Sequence, residues 1–311
     1  MTMRTLIIHN PMSGLRTDDI FAFQRALLEP GDEAVMRITD PATNPALLVQ
    51  DASEFDAVVA SGGDGTLADI AYALHTLDIP LLVFPSGTAN LLANNIGNAI
   101  EPLALANTLR HGQRVDIDMC EFRYTDENGT EQKHGFLSMA GAGYDASLMQ
   151  GSASLKQFFG QFSYYLAALG NLDPGVSHLS LTVDDEQIEA DGICVLVGNW
   201  GVVNQTMEII PGSTPLDGLL DVAVVTAKHG VELLPTVITN FFAHGNDPHL
   251  ENFQIYRAHK VTVECTPAFP LQYDGEVIVG GMSPFTAEVI PGGLHTMVDS
   301  FSPLAKLATR A

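Results

Sequence analysis

Hydrophobic and polar residues in the first third of the chain alternate between short apolar runs and segments with helical periodicity. The apolar runs predict strands at residues 5–9, 33–39, 56–60 and 80–84. The periodic segments predict helices at residues 20–28, 45–52 and 67–77. Strands that alternate with helices indicate a mostly parallel sheet covered on both faces. Such sheets bind ligands beyond the carboxyl ends of their strands, so the loops at those ends are the candidate functional positions.

The pattern changes beyond about Val115, where strand-like segments follow one another without helices. These strands are predicted at residues 179–183, 193–197, 219–225, 259–264 and 285–290. Turn signals lie at residues 184–185, 217–218, 274–275, 280–281 and 291–293. Together they predict an antiparallel β-sandwich. One helical segment at 157–169 is rich in aromatic residues. We interpret it as a core helix, with the lining of an acyl-chain cleft as the alternative.

These two patterns predict two domains. An α/β domain with a mostly parallel sheet is expected at residues 1–125, and an all-β sandwich at residues 126–299. A C-terminal helix at about 300–311 is expected to return to the first domain. The length of 311 residues agrees with this division, because it is long for one compact core.

Composition narrows the class of protein. Hydrophobic residues make up 46% and charged residues 16% of the chain, which is typical of a globular protein. No apolar run reaches the roughly 18 residues of a membrane span, and the N-terminal run is too short for a signal peptide. Cys120, Cys194 and Cys265 lie far apart in the sequence and are expected to be buried and reduced. We therefore expect a cytoplasmic protein.

The net charge of −23 limits the partners, because 37 acidic residues stand against 14 basic ones. This balance argues against a nucleic-acid partner and against docking to lipid through a polybasic patch. Surface charges are screened beyond roughly 8 Å at physiological salt. Peripheral binding to the inner face of a membrane through a local apolar surface therefore remains open, as does a homodimer.

An acidic residue stands among glycines where the third predicted strand ends, in Gly62-Gly63-Asp64-Gly65-Thr66. Glycines let backbone N–H groups approach a ligand closely, and the following helix presents its positive end at the same place. Both features suit phosphate, and Mg²⁺ would reconcile Asp64 with that anion. The loop therefore predicts a site for a magnesium-bound polyphosphate. The alternative is an ordinary strand-to-helix turn in which Asp64 caps the helix.

Two further loops follow predicted strands. Residues 85–90 read Pro-Ser-Gly-Thr-Ala-Asn, and residues 10–14 read Asn-Pro-Met-Ser-Gly. Thr88 and Asn90 offer neutral hydrogen-bonding groups that suit phosphate, ribose or a base edge. Because all three loops leave the carboxyl ends of strands, we expect them to converge on a nucleotide.

These segments, in their order and spacing, resemble the diacylglycerol kinase catalytic-domain family, which includes sphingosine kinases and bacterial lipid kinases. The chain is more distantly similar to NAD kinases. The matching pieces are residues 10–14, 62–66, 85–90, 136–146, 217–222 and 274–276. The resemblance implies an NAD-kinase-like α/β domain, a β-sandwich domain and ATP bound between them. It also implies transfer of phosphate to a lipid hydroxyl, as in diacylglycerol or a sphingoid-like base.

The resemblance also implies roles for individual residues. Matches to the nucleotide-binding positions are Asn10, Thr39, Gly62, Gly63, Asp64, Gly65, Thr66, Leu67, Ala68, Thr88 and Asn90. Glu276 matches the family's proposed proton acceptor, while Asp64 and Asp118 match an acidic network around Mg²⁺ and the phosphates. A structural magnesium site is matched by Thr214, Asp217 and Leu219, the first and last through their carbonyl groups.

Simpler interpretations of several positions stay open without the resemblance. Glu276 would be a solvated carboxylate in a hairpin, because Asp-Gly often marks hairpin turns. The pair Asp217-Gly218 is equally compatible with a turn and with a metal site. His244 and His249 are interpreted as part of a polar loop rather than as a metal pair.

One position departs from the family pattern. Many bacterial diacylglycerol kinases have Asp directly after the Asn of the second loop, whereas this chain has Leu91. Leu91 is more similar to the sphingosine-kinase-like branch. Two alternatives to a lipid kinase therefore stay open: a kinase of a soluble hydroxyl compound such as NAD, and a nucleotide-binding protein without catalysis.

Overall fold

The chain folds into two compact units. The computed structural model describes residues 2–14, 18–40, 43–87, 90–143, 175–200, 202–203, 207–208, 210, 212–228, 232, 252–274 and 276–309. The first unit comprises Met1–Met119, Pro215–Gly218 and Ile290–Ala311. The second unit comprises Cys120–Thr214 and Leu219–Val289. The strands at 113–125 and 285–298 each contain residues of both units, and the domain boundaries at 125 and 299 stay a prediction.

The first unit contains the alternating strands and helices that its sequence predicts. Its first strands are β1 (Arg4–His9), β2 (Glu33–Ile38), β3 (Ala57–Gly62) and β4 (Leu81–Pro85). Its helices are α1 (Asp19–Leu27), α2 (Asp64–Leu74), α3 (Leu91–Ile96), α4 (Pro102–His111) and α5 (Pro303–Ala308). The strands pair in the order β2-β1-β3-β4, and every pair is parallel. The predicted mostly parallel sheet is therefore confirmed.

Burial explains why the central strands have apolar sequences without alternation. Every residue of β3 is buried, as parallel strands covered on both faces must be. On one face, Phe23 of α1 packs edge-on against Phe84 of β4, with ring centroids 5.5 Å apart. This core also includes Ile7, Leu27, Val59, Leu82, Leu105, Leu109 and Met297. The sheet thus holds the carboxyl ends of its strands, and the loops that follow them, on a rigid base.

The predicted helix at 45–52 is wrong in type, because the segment forms two short 3₁₀ helices, Pro45–Val49 and Ala52–Glu54. The side chain of Asn44 caps the first by accepting a hydrogen bond from the amide of Ala46 at 2.8 Å. Arg37 donates to the carbonyl of Leu48 at 2.6 Å and to the carboxylate of Asp51 at 2.7 Å. The carbonyl of Leu48 is therefore bound by a side chain where an α-helix would continue.

The second unit is built from antiparallel strands. They are β5 (Gln113–Thr125, whose first residues lie in the first unit), β6 (Glu131–Phe136), β7 (Met139–Gly143), β8 (Ser177–Val183), β9 (Glu186–Gly192), β10 (Cys194–Gly198), β11 (Val202–Val203), β12 (Met207–Glu208), β13 (Leu220–Val225), β14 (Phe253–Ala258), β15 (Lys260–Thr266), β16 (Pro270–Tyr273), β17 (Glu276–Met282) and β18 (Phe285–Val298, whose last residues lie in the first unit). One sheet has the order β18-β15-β8-β9, and β5 pairs with β6 and β18. The other has the order β14-β13-β10-β7-β16-β17. Side chains of both sheets, such as Leu181 and Val222, share one core, which confirms the predicted sandwich.

Two predicted turns lie inside strands instead. Gly280 has φ +75° within β17, and Gly292 has φ +60° within β18. In β17 the register against β16 passes from Gln272↔Val277 to Pro270↔Met282, so extra residues bulge from the strand. A single glycine with positive φ bends a strand without ending it, and this is why the sequence signal resembles that of a turn.

The described residues contain no helix that is both long and apolar enough to cross a bilayer. Cys120, Cys194 and Cys265 are free thiols and all three are buried, as their wide spacing suggested.

Candidate functional site

Three loops of the first unit meet at the carboxyl ends of β1, β3 and β4. The backbone amide of Asn10, after β1, donates to the carbonyl of Ser61 in β3 at 2.8 Å. The side-chain amide of Asn10 donates to the hydroxyl of Thr66 in α2 at 3.0 Å. Of the predicted nucleotide-binding residues, Asn10 and Thr66 are therefore in direct contact, and the structure brings the expected loops together.

Two glycines allow these loops to approach one another. Gly14 has φ +153°, and a Cβ atom there would lie 2.3 Å from the carbonyl oxygen of Ser86. A Cβ atom on Gly87 would lie 2.6 Å from the Cα atom of Gly63. Any larger residue at either position would push the loops apart. The glycines thus allow the loops to pack closely against one another, in addition to leaving room for a ligand.

A row of hydrogen-bonded side chains beneath the loops was not anticipated from the sequence. Buried His9 has its Nδ1 atom 3.0 Å from the hydroxyl of Ser61, and that hydroxyl donates to Ser86 at 3.2 Å. The hydroxyl groups of Ser86 and Ser13 are 3.1 Å apart, and Ser13 donates to the carbonyl of Asn10 at 2.7 Å. We call His9, Ser61, Ser86 and Ser13 the hydroxyl row.

The donor and the acceptor of each hydrogen bond in the hydroxyl row follow from the number of hydrogen atoms available. Each serine has one hydroxyl hydrogen, and the hydrogen of Ser13 goes to a carbonyl group, which only accepts. Ser86 must therefore donate to Ser13, and Ser61 to Ser86, so His9 must donate from Nδ1. Burial lowers the pKa of His9, which keeps the ring neutral near pH 7 with its proton on Nδ1.

Asp64 is the first residue of α2 and is half-buried. Its Oδ1 atom accepts a hydrogen bond from the amide of Leu92 at 3.2 Å, in the first turn of α3. Desolvation raises the pKa of Asp64, and amides at the start of α3, that of Leu92 first, oppose the rise. Asp64 therefore lies between the N-terminal ends of two helices, where their positive ends favour the ionised carboxylate.

The loop after β4 is closed by the side chain of Asn90. Its Oδ1 atom accepts from the amide of Gly87, and its Nδ2 group donates to the carbonyl of Gly87, both at 2.8 Å. Asn90 also has φ +49°, a left-handed conformation that Asn tolerates better than most residues. In this structure Asn90 therefore shapes the loop. Thr88, the other predicted nucleotide-binding residue of this loop, lies outside the described residues.

The remaining predicted nucleotide-binding residues lie around α2 and β2. Gly62 ends β3, Gly63 caps α2, and Gly65 follows Asp64 in its first turn. Within α2, Leu67 and Ala68 are buried. Thr39 follows β2, is buried, and donates from its amide to the carbonyl of His9 at 2.9 Å.

Asp118 is buried and holds a loop of its own unit in place. Its Oδ2 atom accepts from the amide of Gly218, and its Oδ1 atom accepts from the amide of Gly292, both at 2.8 Å. Its own amide donates to the carbonyl of Pro215 at 2.8 Å. Desolvation raises its pKa, the two glycine amides lower it, and the negative charge of Asp217 raises it further. In this structure Asp118 anchors Pro215–Gly218 through hydrogen bonds.

The anchored segment contains Asp217, one of the three predicted magnesium ligands, and Thr214 and Leu219 flank it in the sequence. A carboxylate with two carbonyl groups is a set of hard oxygen donors, which fits Mg²⁺. The repulsion between Asp217 and Asp118 also fits, because a cation would relieve it. No cluster of three or more His, Cys, Asp or Glu residues suited to a metal occurs in the part of the chain that is described. The magnesium site therefore remains a prediction.

Glu276 belongs to the second unit, where it begins β17 and is the register partner of Tyr273. Only the backbone of Glu276 is described. Asp274, two residues earlier, accepts hydrogen bonds from the amides of Leu137 and Ser138 at 2.8 Å and from Met139 at 3.1 Å. The sequence indicated a turn at Asp274 but gave no sign of these distant partners. The predicted helix at 157–169, His244 and His249 lie outside the described residues.

Comparisons with known proteins match two parts of the chain to known domain families. Residues 4–122 match the diacylglycerol kinase catalytic domain, and residues 138–298 match the YegS C-terminal NAD kinase beta sandwich-like domain. A diacylglycerol kinase of Mycobacterium tuberculosis is 30% identical over 248 residues, which cover 78% of this chain and 76% of that protein. A probable lipid kinase YegS-like of Pseudomonas fluorescens is 29% identical and covers 96% of both chains.

Solved structures show the same fold. A putative diacylglycerol kinase from Bacillus anthracis has a TM-score of 0.73 at 20% identity, covering 96% of this chain and 98% of that one. Yeast NADH kinase in complex with NADH has a TM-score of 0.59 at 12% identity, covering 99% of this chain and 87% of that one. At such identities the likeness concerns the fold alone.

Proposed function

This chain belongs to the diacylglycerol kinase family, and from that membership we propose that it transfers the γ-phosphate of ATP, with Mg²⁺, to a hydroxyl group of a lipid. The observation that carries the proposal is the meeting of three glycine-bearing loops at the carboxyl ends of β1, β3 and β4. That edge is where parallel sheets bind ligands, and α2 and α3 begin beside it.

The first unit would hold the nucleotide mainly through backbone amides. The hydroxyl of Ser13 and the side chain of Asn90 already bond within the loops, so the positive ends of α2 and α3 are the groups best suited to bind phosphate. Mg²⁺, for which Asp64 is the proposed carboxylate ligand, would supply the charge neutralisation that phosphoryl transfer requires. Desolvation raises the pKa of Asp64, and a cation at this position would oppose that rise.

Proton transfer is assigned to Glu276. As the lipid hydroxyl oxygen forms its bond to the γ-phosphorus, the bond from that phosphorus to ADP breaks and the hydroxyl proton passes to the carboxylate. An alcohol is a much weaker acid than a carboxylic acid with a pKa of about 4.3, so the proton leaves late in the reaction. General-base assistance of this kind contributes about 10²- to 10⁴-fold.

A lipid acceptor is proposed because relatives that cover most of this chain carry the names diacylglycerol kinase and probable lipid kinase. Diacylglycerol and sphingoid-like bases are the first acceptors to test. The acidic composition would instead favour a soluble acceptor such as NAD, since an anionic bilayer repels a protein of net charge −23. The same assay separates these two acceptor classes.

The proposal is tested by incubating purified protein with γ-labelled ATP, Mg²⁺ and a panel of lipids, with NAD as a soluble acceptor. We expect label in one lipid class and a rate at least about 100-fold lower for Glu276→Gln, which removes the base but keeps its shape. Label in NAD alone would show that the acceptor is a soluble compound rather than a lipid. Absence of transfer to any acceptor, together with ATP binding by calorimetry, would favour a non-catalytic nucleotide-binding protein.

A further inference from the structure

The carboxylate of Asp274 fastens the β16–β17 hairpin to a segment that is distant in sequence. It accepts from the amides of Leu137, Ser138 and Met139 at 2.8, 2.8 and 3.1 Å. Its own amide donates to the carbonyl of Met139 at 2.7 Å. Hydrogen bonds to an ionised carboxylate are roughly twice as strong as those between neutral groups, so this is a firm attachment.

The attachment lies next to Glu276 in the chain. Tyr273 and Glu276 are a register pair of the hairpin, and Asp274 lies in the turn directly after Tyr273. Asp274 has φ +43°, as tight two-residue hairpin turns require. Because one residue separates Asp274 from Glu276, a turn fixed at Asp274 also fixes where the backbone of Glu276 starts.

We propose that Asp274 is a positioning residue that holds Glu276 in place for proton transfer, an inference that rests on the proposed function. A general base must lie within about 2.6–3.2 Å of the oxygen atom that carries the proton it accepts. A displacement of 1 Å at a reacting group can cost about 100-fold in rate. Release of the hairpin from Leu137–Met139 would allow a displacement of that kind.

The same unit contains a matched control. Asp184, in the turn between β8 and β9, has φ +50° and donates from its amide to the carbonyl of Lys260 at 2.9 Å. Its Oδ1 atom accepts from the amides of His259 at 3.0 Å and Lys260 at 2.9 Å. Asp184 therefore fastens its hairpin in the manner of Asp274, but no proposed catalytic residue follows it.

The test compares Asp274→Asn with Asp184→Asn, each alone and combined with Glu276→Gln. Asn tolerates a left-handed backbone, so each change removes the charge without adding strain. The measurements are kcat and KM for ATP with the acceptor that the lipid panel identifies, ATP affinity by calorimetry, and the midpoint of thermal unfolding. Asp274→Gly, which also accepts positive φ, serves as a second variant if Asp274→Asn does not fold.

We expect both Asp→Asn changes to lower the unfolding midpoint, and neither to change ATP affinity. Only Asp274→Asn should lower kcat, by about 10- to 100-fold, with KM for ATP unchanged. The fold-decrease in kcat caused by Glu276→Gln should then be at least about tenfold smaller on the Asp274→Asn background than on wild type, because a misplaced base contributes less to the rate. The inference would be overturned if Asp274→Asn changed kcat no more than Asp184→Asn does. It would also be overturned if Glu276→Gln lowered kcat by the same factor on the Asp274→Asn background as on wild type. An inactive wild-type protein would instead overturn the proposed function and this inference with it.

Discussion

The hydroxyl groups of Ser13 and Ser86 lie 3.1 Å apart, although 73 positions separate them in the chain. The hydroxyl of Ser86 accepts a hydrogen bond from Ser61, and the hydroxyl of Ser61 accepts one from Nδ1 of His9. Because every hydroxyl hydrogen of the row already has an acceptor, the loops after β1 and β4 are fixed relative to β3 before any ligand binds. Pre-organisation of this kind lowers the entropic cost of binding a nucleotide.

Ser86→Ala is expected to weaken both folding and ATP binding. The change leaves buried Ser61 without its acceptor and half-buried Ser13 without its donor, at a cost of about 1–3 kcal/mol in the free energy of unfolding. Denaturation with urea and calorimetric titration with ATP measure the two effects. Ser177→Ala is the control, because Ser177 is equally buried but donates to Pro267 in the second unit. It should lower stability only, and unchanged ATP affinity in Ser86→Ala would contradict the role of the row.

Asp64→Asn separates the two interpretations of the glycine loop. Asn keeps an oxygen that can accept from the amide of Leu92, so the unfolding midpoint should stay within about 4 °C of wild type. Loss of the charge should lower kcat by about 100-fold or more if Asp64 binds the cation that neutralises the phosphates. Activity measured against Mg²⁺ concentration, with thermal unfolding in parallel, gives both values. Gly63 rather than Asp64 is the N-cap of α2, so wild-type activity in this variant would leave Asp64 with its hydrogen bond to Leu92 as a structural role alone.

Gly87→Ala is expected to lower ATP affinity by about tenfold or more, which is about 1.4 kcal/mol. The new methyl group would lie 2.6 Å from the Cα atom of Gly63, and backbone cannot rotate away as a side chain can. Gly175→Ala is the control, because a Cβ atom there meets nothing within 4 Å. Calorimetry on both variants tests the prediction, which fails if they bind ATP equally well.

The stability of the first unit should depend on Asp32 at neutral pH and lose that dependence in acid. Hydrogen bonds from the amides of Met3 and Glu29, and from the guanidinium of Arg110, lower the pKa of Asp32 from 3.8 to about 2. A lowered pKa in the folded state means that ionisation favours folding, so the contribution is complete above about pH 4 and disappears as the pH falls through about 2.

The check is urea denaturation of wild type and Asp32→Asn at pH 7, 4 and 2. The difference between them should shrink toward pH 2. Asp185→Asn, in an exposed turn, serves as the control and should match wild type throughout. A difference that persists undiminished at pH 2 would show that the charge of Asp32 is not the cause.

The sheet of the first unit could be predicted because its signal is local. The apolar runs at 5–9, 56–60 and 80–84 correspond to the buried strands β1, β3 and β4. The topology of alternating strands and helices brings their loops to one edge. The site's glycine loops follow directly from that argument. The type of the helix at 45–52 could not be predicted, because the group that interrupts it, Arg37, lies in a preceding strand.

The partners of the acidic residues could not be predicted for a similar reason. Asp118 bonds to Gly218 and Gly292, which are 100 and 174 positions away in the sequence, and Asp274 bonds to amides at 137–139. Backbone amides carry no residue-specific signal, so a carboxylate that binds them resembles any other acidic residue. The family resemblance assigned Asp118 a place in the acidic network without indicating these bonds.

The attachment of Pro215–Gly218 constrains how this gene can change in length. One residue, Asp118, bonds to the carbonyl that opens the segment and to the amide that closes it. A codon inserted or deleted between those two points would leave one of these bonds unmade beside the buried carboxylate of Asp118. Natural length variation around this strand connection should therefore be absent from residues 215–218.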